Sequence, residues 1–130
     1  MINRSSLLAI KALTELAGLP PNESQGASTI AQKIKAPSNY LGKLLQSLVV
    51  HGLVVSQKGK GGGFRLGKNP EKISLYDIVA CIEDVDKWSD CFLGRKQCLD
   101  ASPCPIHEQW KVLRQHNIKF LKSVSLTDLN

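Results

Sequence analysis

The sequence predicts a mainly α-helical fold with a small β hairpin, and three observations lead to this prediction. Apolar residues recur at helical spacing over residues 4–17, in two short segments that reach His51, and again near the C-terminus. A β-branched run over 53–56 precedes a glycine-rich tip and a short return run. With 130 residues, of which 42% are hydrophobic and 22% charged, the chain has the size and composition of one domain with a core.

The first predicted helix covers residues 4–17, where leucines and alanines form an apolar stripe. Gly18 and the Pro20-Pro21 pair end this helix, because proline cannot continue the helical hydrogen-bond ladder. Residues 22–27 are polar and predict a loop. We therefore expect one amphipathic helix, separated by this loop from the segments that follow.

Two short helices joined by a tight break predict a helix-turn-helix. Ser28 is placed to cap the first, and Ser38 is placed to cap the second, which runs to about His51. Ala36-Pro37 breaks the chain between them, and Gly52 is placed to close the second helix. The buried stripe of the second helix consists of four leucines: Leu41, Leu44, Leu45 and Leu48.

A hairpin with a basic tip is predicted directly after the second helix. Residues 53–56 and 64–66 have strand-like composition, and the glycine-rich segment 57–63 between them carries Lys58 and Lys60. Such a hairpin is the wing of a winged helix-turn-helix. Its lysines can reach phosphates or the minor groove, and its glycines let the backbone come close.

A fourth helix is predicted after Pro70. Ser74 and Asp77 have the spacing of a capping box, and the apolar pattern continues through about Val85. Cys81 lies beside the apolar stripe, where a small buried hydrophobic side chain is a simpler interpretation than a ligand.

Three cysteines then fall within a short polar segment. Six residues separate Cys91 from Cys98, five separate Cys98 from Cys104, and His107 follows three residues later on a helix expected to start near Pro103. Thiolates bind soft metals and iron–sulfur clusters, and imidazole can take a further position. The closely paired cysteines of a structural zinc site are missing, so the spacing favours a cluster over zinc. Three redox-active thiols, or a loop without a ligand, remain the alternatives.

The C-terminal segment predicts a long helix with an apolar seam that only Asn117 interrupts. The seam consists of six residues: Ile106, Trp110, Leu113, Phe120, Leu121 and Val124. This is more apolar surface than a small helical head can cover, so we expect a homodimer formed through this helix. A dimer also suits helix-turn-helix binding to a palindromic DNA site.

Charge and targeting patterns limit the function classes. Residues 1–70 hold nine basic and two acidic side chains, a net of +7, whereas residues 71–130 hold eight basic and nine acidic, a net of −1. A polyanion such as duplex DNA is the expected partner of the first half, although a protein that merely happens to be basic is the alternative.

No apolar stretch is long enough to cross a membrane and no secretory pattern occurs, so we expect a cytoplasmic protein with reduced thiols. The three scattered histidines form no set of nucleophile, base and orienting group, so we expect no enzyme.

Three motifs occur in the order typical of one bacterial family. They are Ser38-Asn39-Tyr40-Leu41, then Gly52-Leu53-Val54, then Gly59-Lys60-Gly61-Gly62-Gly63-Phe64-Arg65-Leu66. Over nearly its whole length the chain resembles the Rrf-type winged-helix transcriptional regulators, which include the iron–sulfur cluster sensors of the IscR and NsrR type. The resemblance implies a homodimeric DNA-binding regulator, a repressor by expectation. Its operator binding would be controlled by a cluster that senses iron–sulfur status, redox conditions or nitric oxide.

The resemblance also implies roles for individual residues. The cluster ligands would be Cys91, Cys98, Cys104 and His107, and the histidine favours a 2Fe–2S over a 4Fe–4S cluster. The expected DNA-binding residues lie on the helix-turn-helix and the wing: Ser28, Ser38, Asn39, Tyr40, Lys43, Lys58, Lys60, Gly61, Gly62 and Arg65.

The chain is accordingly expected to divide into three segments. These are a winged helix-turn-helix with its supporting helix over 1–85, a cluster-binding loop over 86–104, and a dimerisation helix and tail over 105–130. Two other functions remain open. One is a cluster-free regulator of the same fold that responds to thiol oxidation or to a protein partner. The other is a small redox or metal-binding protein.

Overall fold

The structure is a computed structural model that describes residues 2–89, 92–93 and 105–130. It confirms a mainly helical fold with a small antiparallel hairpin. The helices and strands of the described residues are α1 Arg4–Ala17, α2 Ala27–Ile34, α3 Ser38–Val50, β1 Val54–Gln57, β2 Gly63–Leu66, α4 Leu75–Ile82 and α5 His107–Ser123. Short 3₁₀ turns cover Pro70–Lys72, Val85–Ser89 and Leu126–Leu129.

Helix α1 lies at the centre of the core and has the bounds that the sequence predicts. Asn3 caps it, because the Asn3 side chain accepts a hydrogen bond of 2.8 Å from the backbone N–H of Ser6. Its buried face, which includes Leu13 with no exposed surface, packs against α2, α3, α4 and β2. Burial of this apolar face stabilises the packing of the helix-turn-helix on its support.

The predicted serine caps of α2 and α3 are wrong. The cap of α2 is Gly26, whose carbonyl accepts from the N–H of Ile30, so Ser28 lies inside the first turn. Similarly, Pro37 precedes α3 with extended backbone and its carbonyl accepts from Leu41, so Ser38 is the first helical residue. Neither helix has a side-chain cap, which leaves both serine hydroxyls available at the surface.

Left-handed residues end both helices of the helix-turn-helix. Lys35 has φ +58° at the end of α2, and the next N–H donates to the Ala31 carbonyl over 2.9 Å. Gly52 closes α3 as predicted, with φ +80°, and the N–H of Leu53 donates to the Leu48 carbonyl over 3.1 Å. These are Schellman-type ends, which satisfy carbonyls that the helix leaves without partners. They turn the chain sharply into α3 and then into the wing.

The two strands of the wing, β1 and β2, pair in antiparallel fashion. Val54 lies opposite Leu66 at one end of the pair, and Gln57 lies opposite Gly63 at the other. A third segment that was predicted to be loop joins it, because Gln25 and Phe64 exchange backbone hydrogen bonds of 2.9 and 2.7 Å. This bridge fixes the hairpin beside the start of α2. The position of the wing relative to the helix-turn-helix is therefore set by backbone pairing as well as by side-chain packing.

The capping box of α4 is confirmed, since Ser74 and Asp77 each accept a hydrogen bond from the other's backbone N–H. The helix ends at Ile82 and not near Val85, which instead begins the 3₁₀ turn Val85–Ser89. Glu83 is already extended, with φ −110° and ψ 152°, so the chain leaves the helix there.

Helix α5 begins at His107, which corrects the predicted start near Pro103. Leu121 is buried, and after the helix the chain returns to the start of α4 through a bridge between Ser74 and Ser125. Leu126 then enters the common core with no exposed surface. Among the residues that the structure describes, none of the helices has the length and apolar character needed to cross a membrane.

Candidate DNA-binding face and ligand segment

The exposed face of α3 forms one side of an open groove. Its buried leucines hold the opposite face against the core, so the polar positions of the helix are presented together. The groove runs between α3, the start of α2 and the wing strand β2. Its lining residues are Ala27, Ser28, Ser38, Asn39, Gly42, Lys43, Gln46, Ser47, Val50 and Phe64.

Four predicted DNA-binding residues meet in this groove: Ser28, Ser38, Asn39 and Lys43. All four are exposed, and Lys43 is the sole charged side chain among the described residues that line it. No acidic side chain occurs there or in the first turn of α3. The groove therefore combines hydrogen-bonding side chains with positive charge, which is the chemistry that base edges and phosphates require.

Three side chains of α3 that line the groove are missing from the predicted set. Gln46, Ser47 and Val50 continue the line from Asn39 and Lys43 at helical spacing, and Val50 is 82% exposed. An apolar side chain this exposed on a polar face is suited to contact with a thymine methyl group. The helical repeat of the exposed positions was the signal that could have identified them.

Tyr40 lies outside the groove although it is adjacent to Asn39. Its hydroxyl is hydrogen-bonded to the hydroxyl of Ser5 at the start of α1, and its side chain is 38% exposed. Tyr40 thus connects α3 to α1, and this contact holds the first turn of α3 in place.

The wing presents its predicted cations differently. Lys58, Lys60 and Gly61 are exposed at the tip, where the side chains can extend away from the protein. Gly62 is half-buried there. Arg65 is also half-buried and donates from Nη1 to Oε1 of Gln57 over 3.0 Å.

Arg65 also lies beside the loop after α1 rather than in the groove, since it lines a hollow with residues such as Pro21 and Glu23. Its neighbour Phe64 lines the groove on the other side of β2. The strand alternation thus assigns Arg65 to the opposite face of the wing.

The ligand segment is described only at its end. Cys91, Cys98 and Cys104 lie outside the described residues. His107 is the first residue of α5 and is 3% exposed, which is unusual for a histidine at a helix start. Its Nε2 lies 3.9 Å from Oε1 of Glu108. Within 2–89, 92–93 and 105–130, no three or more potential metal ligands lie together.

Cys81 on α4 is separate from that segment. The Cys81 thiol donates to the Asp77 carbonyl over 3.2 Å and is half-buried. Burial raises the pKa of this thiol, the Asp77 carboxylate raises it further, and Lys68 partly opposes the shift. A thiol held protonated is a poor nucleophile and a poor ligand, which agrees with its predicted structural role.

Comparison with known proteins assigns this arrangement to a family. Residues 2–130 match the family model Rrf2, described as an iron-dependent transcriptional regulator. A putative HTH-type transcriptional regulator of Aquifex aeolicus is 34% identical over 122 residues, covering 91% of this chain and 85% of that protein. The HTH-type transcriptional regulator IscR of Pectobacterium atrosepticum is 27% identical over 121 residues, covering 93% and 73%.

Among solved structures, the chain is similar to CymR, the global cysteine regulator of B. subtilis. The TM-score is 0.83 at 27% identity, and the match covers 99% of this chain and 95% of that one. These relatives are transcriptional regulators and not enzymes.

Proposed function

The chain belongs to the Rrf2 family of DNA-binding transcriptional regulators, and from this premise we propose how it binds DNA and how binding is controlled. In this proposal a homodimer binds a palindromic operator through the α3 groove and the wing. An iron–sulfur cluster held by Cys91, Cys98, Cys104 and His107 alters the affinity.

The observation that carries the proposal is the groove itself. Asn39 and Lys43 face outward from α3, the helix that a helix-turn-helix inserts into the major groove. Asparagine can read adenine with two hydrogen bonds, and lysine can read guanine or contact phosphate. Lys58 and Lys60 are exposed at the tip of the wing, whose strand β2 lines the groove through Phe64, and there they could contact the backbone or minor groove of the DNA.

The donor set suits an iron–sulfur cluster. Three thiolates and an imidazole are soft or intermediate ligands that bind iron in such clusters, and they lack the closely paired cysteines of zinc sites. The burial of His107 at the start of α5 supports a role for its imidazole inside the protein rather than in water. When bound, the cluster would supply a group whose charge and stability respond to iron, oxidants or nitric oxide.

Separate hydrogen bonds join the residue after α4 to the first turn of α1, and that turn to α3. Glu83, which follows α4, accepts from the backbone N–H of Asn3 over 3.0 Å and from Oγ of Ser6 over 2.5 Å. The adjacent Ser5 is bonded to Tyr40 on α3. A change in the segment after Glu83 would therefore reach the first turn of α1 and, through Tyr40, the recognition helix. Such coupling is typically worth about 1–3 kcal/mol, or roughly 5–150-fold in affinity.

A second candidate, supported by the likeness to CymR, is a cluster-free regulator of the same family. CymR is named as a regulator of cysteine, and it matches this chain over 99% of its length. In that case the thiols themselves, or a protein partner, would provide the signal. DNA binding would then respond to oxidants or to that partner and not to iron.

Anaerobic reconstitution with iron and sulfide separates the two candidates. The protein is expected to gain visible absorption, iron and sulfide by native mass spectrometry, and a changed affinity for operator DNA. Cys98→Ala should lose all three, whereas Cys81→Ala is the matched control because Cys81 lies on α4, outside the segment, and should behave as wild type. A colourless protein that contains no iron or sulfide after reconstitution would contradict the cluster. DNA binding that then followed oxidants would favour the second candidate.

A further inference from the structure

Gln46 extends the polar stripe of helix α3 beyond the predicted DNA-binding residues. Its side chain lines the groove and is exposed, and it follows Lys43 by three residues and Asn39 by seven. Residues at these spacings lie on one face of a helix. Gln46 therefore faces the same partner as Asn39 and Lys43.

The side-chain amide of Gln46 makes no hydrogen bond within the described part of the chain. The neighbouring Ser47 differs, because its hydroxyl donates to the Lys43 carbonyl over 3.2 Å. The Ser47 carbonyl is in turn bonded to Nδ1 of His51 over 2.9 Å. Val50 has an apolar side chain that can form no hydrogen bond. Of the three α3 side chains missing from the predicted set, Gln46 alone keeps both a donor and an acceptor for a partner.

The amide of a glutamine matches one base in particular. It carries an NH₂ donor and a carbonyl acceptor. In the major groove adenine presents an N7 acceptor beside an N6 donor, so glutamine can pair with it through two hydrogen bonds, whereas guanine presents two acceptors. Lysine has donors only and suits guanine or phosphate. Gln46 thus offers a chemistry that neither Lys43 nor the wing lysines supply.

Space and charge also favour the approach of a base to Gln46. The same lining includes Gly42, which has no side chain to hold a duplex away, and no acidic side chain occurs among the described residues of the groove. Seven residues of helix rise by about 10 Å, and base pairs are stacked about 3.4 Å apart. Gln46 and Asn39 are therefore placed to meet different base pairs of one half-site.

We propose that Gln46 reads an adenine in each half-site of the operator. Its amide donates to N7 and accepts from the N6 amino group, at a base pair other than the one that Asn39 meets. This inference rests on the proposed binding of DNA by the α3 groove, and it names the base that this part of the groove selects. Loss of a base reader relaxes one sequence preference, whereas loss of a phosphate contact weakens binding to all sequences alike.

Selection of bound duplexes from a pool of random sequences tests the proposal with the full-length protein. Wild type should enrich a palindromic site, and Gln46→Ala should lose the preference for adenine at one position of each half-site while it keeps the others. Gln46→Arg should prefer guanine at that position, because arginine pairs with the two acceptors of guanine. Gln32→Ala is the matched control, since Gln32 is an exposed glutamine of α2 outside the groove lining, and it should select the wild-type site.

A modified base tests the contact itself. The probe is the selected duplex with 7-deazaadenine, which lacks the N7 acceptor, at the position whose preference Gln46→Ala loses. Wild type should bind this duplex about fivefold or more weakly than the unmodified one, and Gln46→Ala should bind both equally. Identical selected sites for Gln46→Ala and wild type, or an equal effect of 7-deazaadenine on both proteins, would overturn the proposal and leave the proposed function intact. A wild type that enriches no site would overturn both.

Discussion

At the scale of single residues, two glycine positions differ in whether the fold has room for a side chain. Gly63 has φ +129°, and a Cβ there would lie 2.5 Å from the backbone carbonyl of Gln25, with which the wing is bridged. Gly42 lies inside α3, where a Cβ would make an ordinary contact of 3.9 Å with Ala27. The first glycine is therefore required by the close approach of two backbones, whereas the second is not required by space.

Alanine at each position gives the first prediction. Gly63→Ala should lower the free energy of unfolding by about 2 kcal/mol or more, because both its φ and its contact become unfavourable. Gly42→Ala should raise it by about 0.5–1 kcal/mol, since alanine favours the helix interior. Urea denaturation of the two variants measures both effects. Equal stability of the two variants would show that the Gln25 bridge is absent.

The half-buried thiol of Cys81 gives a second prediction, on pH dependence. Its pKa is raised above the ordinary 9.0, mainly by burial and secondarily by Asp77, so the folded state favours the protonated thiol. Its stabilising contribution is fully present below pH 9.0 and is lost as the pH rises through the folded pKa. The unfolding free energy of wild type relative to Cys81→Ala should therefore fall above that pH. A difference that stays constant would contradict the shift.

At the scale of elements, the sequence predicts helix bodies better than helix ends. The apolar repeat was sufficient to predict α1, and the capping box of Ser74 and Asp77 was sufficient to predict the start of α4. Both patterns depend only on residues that are close in sequence. The prediction that Ser28 and Ser38 cap α2 and α3 was wrong, because Gly26 and Pro37, which have extended backbone, occupy the N-cap positions. The Gln25 bridge depends on residues 39 positions apart, which no local pattern records.

The candidate site was predictable to a similar extent. Helical spacing brings Asn39 and Lys43 to one face, and composition identifies the basic wing tip. The contact of Tyr40 with Ser5 and the burial of His107 could not be predicted, since both depend on how distant helices pack.

The link between α4 and α1 gives a prediction at this scale. Glu83 accepts two hydrogen bonds at the positive end of α1, from the Asn3 N–H and the Ser6 hydroxyl. Glu83→Gln removes the charge and should lower the unfolding free energy by about 1 kcal/mol. The control is Glu23→Gln, an exposed loop position that should change stability little. Thermal denaturation measures the stability of both variants. Equal losses of stability in Glu83→Gln and Glu23→Gln would mean that the hydrogen bonds of Glu83 contribute nothing specific to stability.

At the scale of the whole molecule, α5 carries an apolar face that is exposed in the described part of the chain. Leu121 is buried against the head, whereas Leu113 and Phe120 are 49% and 57% exposed and lie seven residues apart on the helix. Two helical turns separate them, so they share a face, as the proposed homodimer requires.

A charge on that face should separate the subunits. Phe120→Asp is expected to shift the protein from dimer to monomer, because dimerisation would bury an unpaired carboxylate. It should also lower the affinity for a palindromic operator. Lys119→Ala, at the adjacent exposed position, should leave the dimer intact. Sedimentation velocity measures both variants, and a wild-type protein that sediments as a monomer would refute the homodimer.

The central claim is that the α3 groove and the wing bind duplex DNA, and the salt dependence of binding tests it most directly. Each phosphate contact contributes a slope of about −0.9 to the plot of log affinity against log salt. The wild type should therefore lose affinity steeply as salt rises. The double variant Lys58→Ala, Lys60→Ala should show weaker binding and a shallower slope, while Lys72→Ala, at an exposed lysine outside the groove, should match wild type. Equal affinity and slope for the double variant and wild type would contradict the assignment of the wing.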